Sequence, residues 1–187
     1  MASPNSTTIG TILFIVVIAL LAWAIINSYR RSKLKAIPVV QSVDVNRYMG
    51  TWYEVARLPT VFQQGCSDSM AQYSLNSDQS IRITNTCNKN GSSTQISGRA
   101  VPNDASITNG ILSPGRLKVS FGSPFDSEYN ILDLTSDYSM AMVSGSINDK
   151  KNLWILSRNR IGNPNVISQM ISHAESLGFN TKGLIYS

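Results

Sequence analysis

A single histidine and two cysteines are all that a chain of 187 residues offers as soft metal ligands. A structural zinc site of the Cys/His kind needs more, so no metal is expected. The lack of a nucleophile, histidine and acid in any legible set likewise argues against a hydrolase, and no catalytic residue or cofactor is assigned. Net basic charge is scarce outside one short stretch. The formal net charge is +5, but Arg30, Arg31, Lys33 and Lys35 supply four positive charges within six residues. What remains is close to neutral, whereas a nucleic-acid-binding domain carries its basic patch on the fold itself. Nucleic acid is therefore not an expected partner. There is no internal repeat of solenoid period and no low-complexity tract.

One long apolar run is present. Residues 9–26 are eighteen positions without a charge, the lower length for a membrane-spanning helix. Trp23 and Tyr29 stand where interfacial aromatics belong, and the Arg/Lys cluster closes the segment. Ala22-Trp23-Ala24 would pass as a small-x-small cleavage site, but no Lys or Arg precedes the run, as a secretory signal requires. An uncleaved single-pass anchor over 9–29 is the expectation, after a short tail (1–8) and before a basic linker (30–42). The basic residues are read as marking the membrane interface, with anionic-lipid binding as the alternative. The positive-inside rule would place the following domain in the cytoplasm. The cysteines, if bridged, point to an extracytoplasmic side, and the two indications leave the side open.

From residue 43 the chain reads as one domain of short alternating segments separated by turn residues, the all-β pattern. Val43 to Met49 reads as a helical turn with Asp44 as N-cap. Gly50 then opens a strand in which Trp52, Glu54 and Ala56 share one face, and Tyr53, Val55 and Arg57 the other. Further strands are expected over 69–75, 80–87, 93–100, 115–121, 128–134, 139–144 and 152–157. Eight antiparallel strands can close into an up-and-down barrel wide enough for one small ligand. The period then changes. Asn163 can cap a helix, Pro164 suits its first turn and Gly178 its end. Val166, Ile167, Met170, Ile171, Ala174 and Leu177 form its apolar stripe. Gly183 to Tyr186 would follow as a short extra strand along the barrel.

A short helix running into Gly50-x-Trp52 resembles the opening signature of the lipocalins. Leu153-Trp154-Ile155-Leu156-Ser157-Arg158 resembles their third signature, and Ser136-Asp137-Tyr138 lies in a looser version of the second. Residues 115–121 and the loop segment Leu58-Pro59-Thr60-Val61-Phe62 add to the likeness, which covers about 43–186 and is to bacterial outer-membrane lipocalins and apolipoprotein D. The resemblance implies that Arg158 stacks on Trp52 at the closed end and that the loop after the first strand folds over the open end. Bacterial relatives are commonly lipoproteins with an early cysteine. Here the first cysteine is Cys66, so anchoring of that kind is not expected.

The implied function is reversible binding of a small hydrophobic or amphipathic ligand, such as a fatty acid or lysophospholipid, in the barrel calyx for transport or storage. Inward parity nominates Ala56, Ala71, Tyr73, Ile81, Ile83, Leu117, Val119, Phe121, Trp154 and Leu156 as lining, some of which would only fill the core. Glu54 shares that parity, as a cavity acid in an enzyme reading or as a carboxylate partnered by a basic group or water. Cys66 and Cys87 flank the hairpin around 76–78. If Tyr73 opposes Ile81, residue 67 opposes Cys87, an offset that a strand end or bulge can bridge by a disulfide. A reactive thiol, as in the lipocalins that make prostaglandins, is the alternative. His173, at the edge of the helix stripe, reads as a partly exposed packing residue. A filled barrel that binds nothing is the remaining reading.

Overall fold

The structure, a computed structural model, describes residues 16–25, 37–122, 126–147 and 150–187. The chain divides into two compact units, residues 1–36 and 37–187. In the first, residues 16–25 form a helix (α1) whose large apolar side chains, Val16, Leu20 and Trp23 among them, are exposed. The rest of the anchor expected over 9–29 lies outside the described residues. Among the described residues no helix is long and apolar enough to cross a membrane.

The second unit is an antiparallel barrel with a helix on its flank. Its strands are β2 (Gly50–Arg57), β3 (Cys66–Leu75), β4 (Ile81–Lys89), β5 (Ser92–Pro102), β8 (Arg116–Ser120), β9 (Ser127–Leu134), β10 (Met140–Ile147) and β11 (Lys150–Ser157), paired in sequence order. Pairing of β11 back onto β2 closes the ring. The described unit thus has the eight strands expected from the alternating pattern, with boundaries moved by one to three residues.

The segment before β2 is tighter than one helical turn. Val43–Asp44 is a strand (β1) and Val45–Tyr48 the helix (α2), capped by the Asp44 carboxylate accepting from the Arg47 N–H at 3.2 Å. β1 pairs with β7 (Ile111–Ser113), which pairs with β6 (Ser106–Thr108). No strand was expected over 101–114, because three-residue strands are too short to show a period. This small sheet drives Val43, Val45 and Leu112 into the inner core, each at most 1% exposed, and so plugs one end of the barrel.

Two cores result. The inner one holds Trp52, Ala71, Tyr73, Ile81, Ile83, Leu117, Val119 and Leu156. The outer one lies under α3 (Pro164–Ser176), where Val55, Met140, Leu153 and Ile155 meet Met170 and Ala174 from the helix stripe. Asn163 caps α3 as expected, accepting from the Asn165 N–H at 3.0 Å, and Gly178 ends it at φ +87°. The tail forms β12 (Ile185–Tyr186), which takes the edge of β2 beyond the point where β3 leaves it: β2 pairs with β3 only from Gly50 to Tyr53, and with β12 at Ala56 and Arg57.

Candidate functional site

The two ends of the barrel are built differently. At the closed end Arg158, the last residue of the third signature, lies over the Trp52 ring with its guanidinium carbon 3.8 Å from the centroid. Its nitrogens donate to the carbonyls of Thr51 (2.8 Å), Arg47 (2.6 Å) and Met49 (2.8 Å). Those carbonyls end α2 and begin β2, and one charge satisfies all three at once. The Trp52 N–H donates to the Tyr48 carbonyl at 2.9 Å. Gly50 takes φ +92°, a backbone conformation that favours glycine, where the chain turns from α2 into β2. The looser second signature serves the same end: the Tyr138 hydroxyl accepts from the Asp44 N–H at 2.8 Å, while Arg47 covers the Tyr138 ring.

Above this plug, Tyr48, Tyr73 and Tyr129 share hydroxyl hydrogen bonds of 2.7 Å (Tyr48 to Tyr129) and 3.1 Å (Tyr73 to Tyr129). Burial pushes the Tyr73 hydroxyl up to about 12 and those of Tyr48 and Tyr129 well above their ordinary range. Such phenols stay protonated and serve as a hydrogen-bonded floor. With Ile81, Ile83 and Leu117 they enclose a void of about 10 Å³, at or below the space one water needs. Four residues nominated as lining, Tyr73, Ile81, Ile83 and Leu117, therefore pack around a floor with almost no free volume.

The other end is open to solvent. The register Asn85–Ile96, Ile83–Gly98 and Ile81–Ala100 puts Ile96 on the inner side, yet it is 50% exposed. Solvent thus reaches the inner wall here. Ala71, Val119 and Leu156 are buried in the inner core, and Phe121 and Trp154 pack against it. Gly98 makes room for the Phe121 ring, which would stand 2.6 Å from a Cβ at that position. The loop after β2 carries a short 3-10 turn, Val61–Gln63, that folds Phe62 onto Trp154 with centroids 6.3 Å apart.

Ala56 is a correction. It lies in the outer core under α3, not on the inner wall. The cause is a bulge in β2: Leu156 opposes Glu54 but Ile155 opposes Ala56, so Val55 and Ala56 both face the helix. The extra residue reverses parity beyond it and swings Arg57, expected outward, to the inner side opposite Trp154. The local sequence carries no glycine or turn residue to announce the bulge.

That swing assembles a polar cluster beneath the loop. Arg57 Nε stands 3.3 Å from Glu54 Oε1, with both side chains about nineteen-twentieths buried (5% and 6% exposed). Arg57 Nη2 donates to the carbonyls of Gln63 (3.2 Å) and Cys66 (3.3 Å). The Gln63 side chain donates to Glu54 Oε2 at 2.7 Å and accepts from the Trp154 N–H at 2.8 Å. Burial raises the Glu54 carboxyl above its ordinary range, against the opposing pull of Gln63 and Arg57. Three buried atoms, Glu54 Oε1, Arg57 Nε and Ser69 Oγ, lack a hydrogen-bond partner. The first two face each other as an ion contact without hydrogen-bond geometry. Glu54 is thus the partnered carboxylate, and its partner was hidden by the bulge.

Cys66 and Cys87 are joined in a disulfide with Cα atoms 5.5 Å apart. The register differs from the expected one: Tyr73 opposes Ile83, and Cys66 opposes Lys89, with an irregularity between Ser67 and Met70. The bond therefore runs diagonally across the hairpin. His173 Nδ1 donates to the Asp133 carboxylate at 3.0 Å on the flank of the barrel, each 38% exposed. Among the described residues no group of three or more His, Cys, Asp or Glu is placed to hold a metal ion.

The comparisons with known proteins agree with this geometry. A family described as "Lipocalin-like domain" matches residues 43–187. A lipocalin of Acanthamoeba polyphaga mimivirus, R877, is 43% identical over 145 residues, covering 77% of this chain and 83% of the relative. The outer membrane lipoprotein Blc of Citrobacter freundii is 37% identical over 152 residues, 81% of this chain and 82% of Blc. Apolipoprotein D of Macaca fascicularis is 32% identical over 142 residues, 72% and 70% of the two chains. Among solved structures, insecticyanin of the tobacco hornworm Manduca sexta superposes with a TM-score of 0.67 at 18% identity, covering 81% of this chain and 84% of its own, which speaks for the fold alone. By its signatures, its closed eight-stranded barrel with a flanking helix and these relatives, the chain belongs to the lipocalin family.

Proposed function

We propose that the protein binds a small amphipathic lipid, of the fatty acid or lysophospholipid class, in the upper half of the barrel, for transport or storage. The carrying observation is the asymmetry of the inner wall: it is closed and filled at the tyrosine floor, yet solvent reaches Ile96 on the same inner face. The name of one relative, an apolipoprotein, supports a lipid. An acyl chain entering this space gains about 0.8 kcal/mol per methylene removed from water. Ala71, Val119, Phe121, Ile96 and Trp154 are the residues we assign to the lining.

The uncharged run over 9–26, helical and apolar-faced where it is described, supports a membrane tether for this domain. Full-length protein is then expected to remain with membranes through a carbonate wash, and release would remove the tether from the reading.

Binding is tested with a fluorescent fatty acid and the full-length protein. Micromolar or tighter binding is expected, strengthening with chain length until the cavity is full. Ala71→Trp should abolish it, because a bulky ring overfills the wall. The enzyme reading predicts instead a turnover that disappears in Glu54→Gln while binding survives. No saturable binding at any chain length would establish a filled barrel.

A further inference from the structure

We propose that the polar cluster beneath the first loop is a head-group subsite selective for uncharged hydrogen-bonding heads, such as those of a long-chain monoacylglycerol or primary fatty amide, over carboxylate or ammonium heads. The proposal rests on the lipid-binding reading and revises its ligand class: charged-head lipids such as fatty acids still enter the barrel, but as weaker ligands than uncharged-head lipids of the same chain length.

Three observations carry it. The first is charge balance. Glu54 and Arg57 face each other at 3.3 Å, almost wholly buried. The side chain hydrogen-bonded to the pair is the uncharged Gln63, itself bonded by the uncharged Thr60 and Trp154. Asp68 of β3 is exposed and faces Arg160 at 3.8 Å. A ligand anion placed here would be held by Arg57 and opposed by Glu54; a cation would meet the reverse. Either would add an uncompensated charge to a dry site that is already neutral.

The second is the group that occupies the site. The Gln63 carboxamide donates to Glu54 Oε2 at 2.7 Å and accepts from the Trp154 N–H at 2.8 Å. The cluster thus already receives an uncharged group that offers one donor and one acceptor. The third is what Gln63 leaves unused. Glu54 Oε1, Arg57 Nε and Ser69 Oγ have no hydrogen-bond partner. Glu54 Oε1 and Arg57 Nε meet only each other, as an ion contact at 3.3 Å, and Ser69 Oγ, which the Trp52–Ala71 and Tyr53–Met70 register carries across from Glu54, meets nothing; a head carrying both a donor and an oxygen acceptor answers all three. A hydroxyl pair or an amide supplies these; a carboxylate has no donor and an ammonium no acceptor. The cluster sits where β3 stops pairing with β2, beyond Tyr53 and Met70, and under the Phe62–Trp154 contact, which places the head at the mouth and the tail toward the tyrosine floor.

The test is displacement of the fluorescent fatty acid from full-length protein at neutral pH by four ligands of equal chain length: monoacylglycerol, fatty amide, fatty acid and alkylammonium. The two uncharged ligands should compete about tenfold better than the charged ones, a difference of about 1.4 kcal/mol. In Glu54→Gln the fatty acid should draw level, because the Arg57 charge is then uncompensated, while the alkylammonium falls further behind. A wild-type protein that binds the fatty acid as well as the uncharged pair overturns the subsite, as does an order unchanged in Glu54→Gln. If that variant does not fold by circular dichroism, the wild-type order decides alone. Failure of every head group to compete, together with no direct binding of the probe, would instead remove the lipid-binding reading itself.

Discussion

The closed end and the mouth of this barrel each hold an arginine, half-buried at the first and buried at the second, and they treat it in opposite ways. Arg158 is surrounded by acceptors: three backbone carbonyls within 2.8 Å and an indole face, with no carboxylate needed. Arg57 is set against an acid in imperfect geometry, and the two leave polar atoms without hydrogen bonds. A cation whose donors are all met stabilises the fold, whereas a buried pair that is only partly satisfied costs stability. The contrast separates an end that holds the barrel together from one that does so less well.

The largest expected effect falls on the mouth through its covalent clamp. Replacing both Cys66 and Cys87 by serine should lower the unfolding free energy by about 3 kcal/mol, the chain-entropy value for a loop of this length. Urea unfolding measures it. Amide exchange should then quicken in the upper parts of β3 and β4 while the Arg158 end stays protected. Uniform loosening of both ends would erase the comparison.

Next is Arg158→Ala, expected to cost roughly 2 to 3 kcal/mol by stripping the carbonyls of Arg47, Met49 and Thr51 and the stack on Trp52. Lipid affinity should hardly move, since the tyrosine floor separates this end from the mouth. A double-mutant cycle with Trp52→Phe should show coupling; strict additivity would mean the stack contributes nothing.

The smallest effect is a pH dependence of opposite sign at two sites. Burial raises the folded-state carboxyl of Glu54 above its ordinary value of 4.5. Its ionised form therefore destabilises the fold at neutral pH, and that cost is relieved as pH falls toward the ordinary carboxylate range. The exposed carboxyls of Asp78 and Asp137 are held down to about 2 by hydrogen bonds from Ser80 and from Thr135 and Ser139, in that order of effect. Their contribution is present above 3.8 and is lost as pH falls through 2. Wild-type protein should accordingly gain stability relative to Glu54→Gln as pH falls from neutral toward 4.5, and Asp137→Asn should lose its effect only as pH falls from 3.8 to about 2. Thermal melts from neutral pH down to about 2 check both; a Glu54→Gln difference that is flat with pH would mean the pair is not desolvated.

The second signature and the helix show how much of the fold was legible in the sequence. Asn163, Pro164 and Gly178 mark the helix ends by local chemistry, and the apolar stripe between them names the face that meets the barrel. Trp52 and Arg158 were paired from family signatures more than 100 residues apart. The Cys66–Cys87 bridge was named, although the register used to reach it was off by two positions on β4. Ile96 was also within reach: its strand was expected, and its parity follows from Ala100, but an isolated isoleucine among Ser, Thr and Gln gave no apolar alternation to draw attention.

By itself, then, the amino-acid order determined the eight barrel strands, the flanking helix and the family, because each is written in short-range periodicity or in a few signature residues. The cluster at the mouth was decided by tertiary structure alone. Alternation carries parity along a strand only while the count is unbroken, and the bulge at Val55 and Ala56 exists because β2 must pair with β11 while bending over α3. One inserted residue sent Ala56 to the outer core and Arg57 to the inner wall, where Glu54, Gln63 and Trp154 converge from three separate stretches of the chain. No local pattern records such a meeting, because it depends on the register of strands about a hundred residues apart.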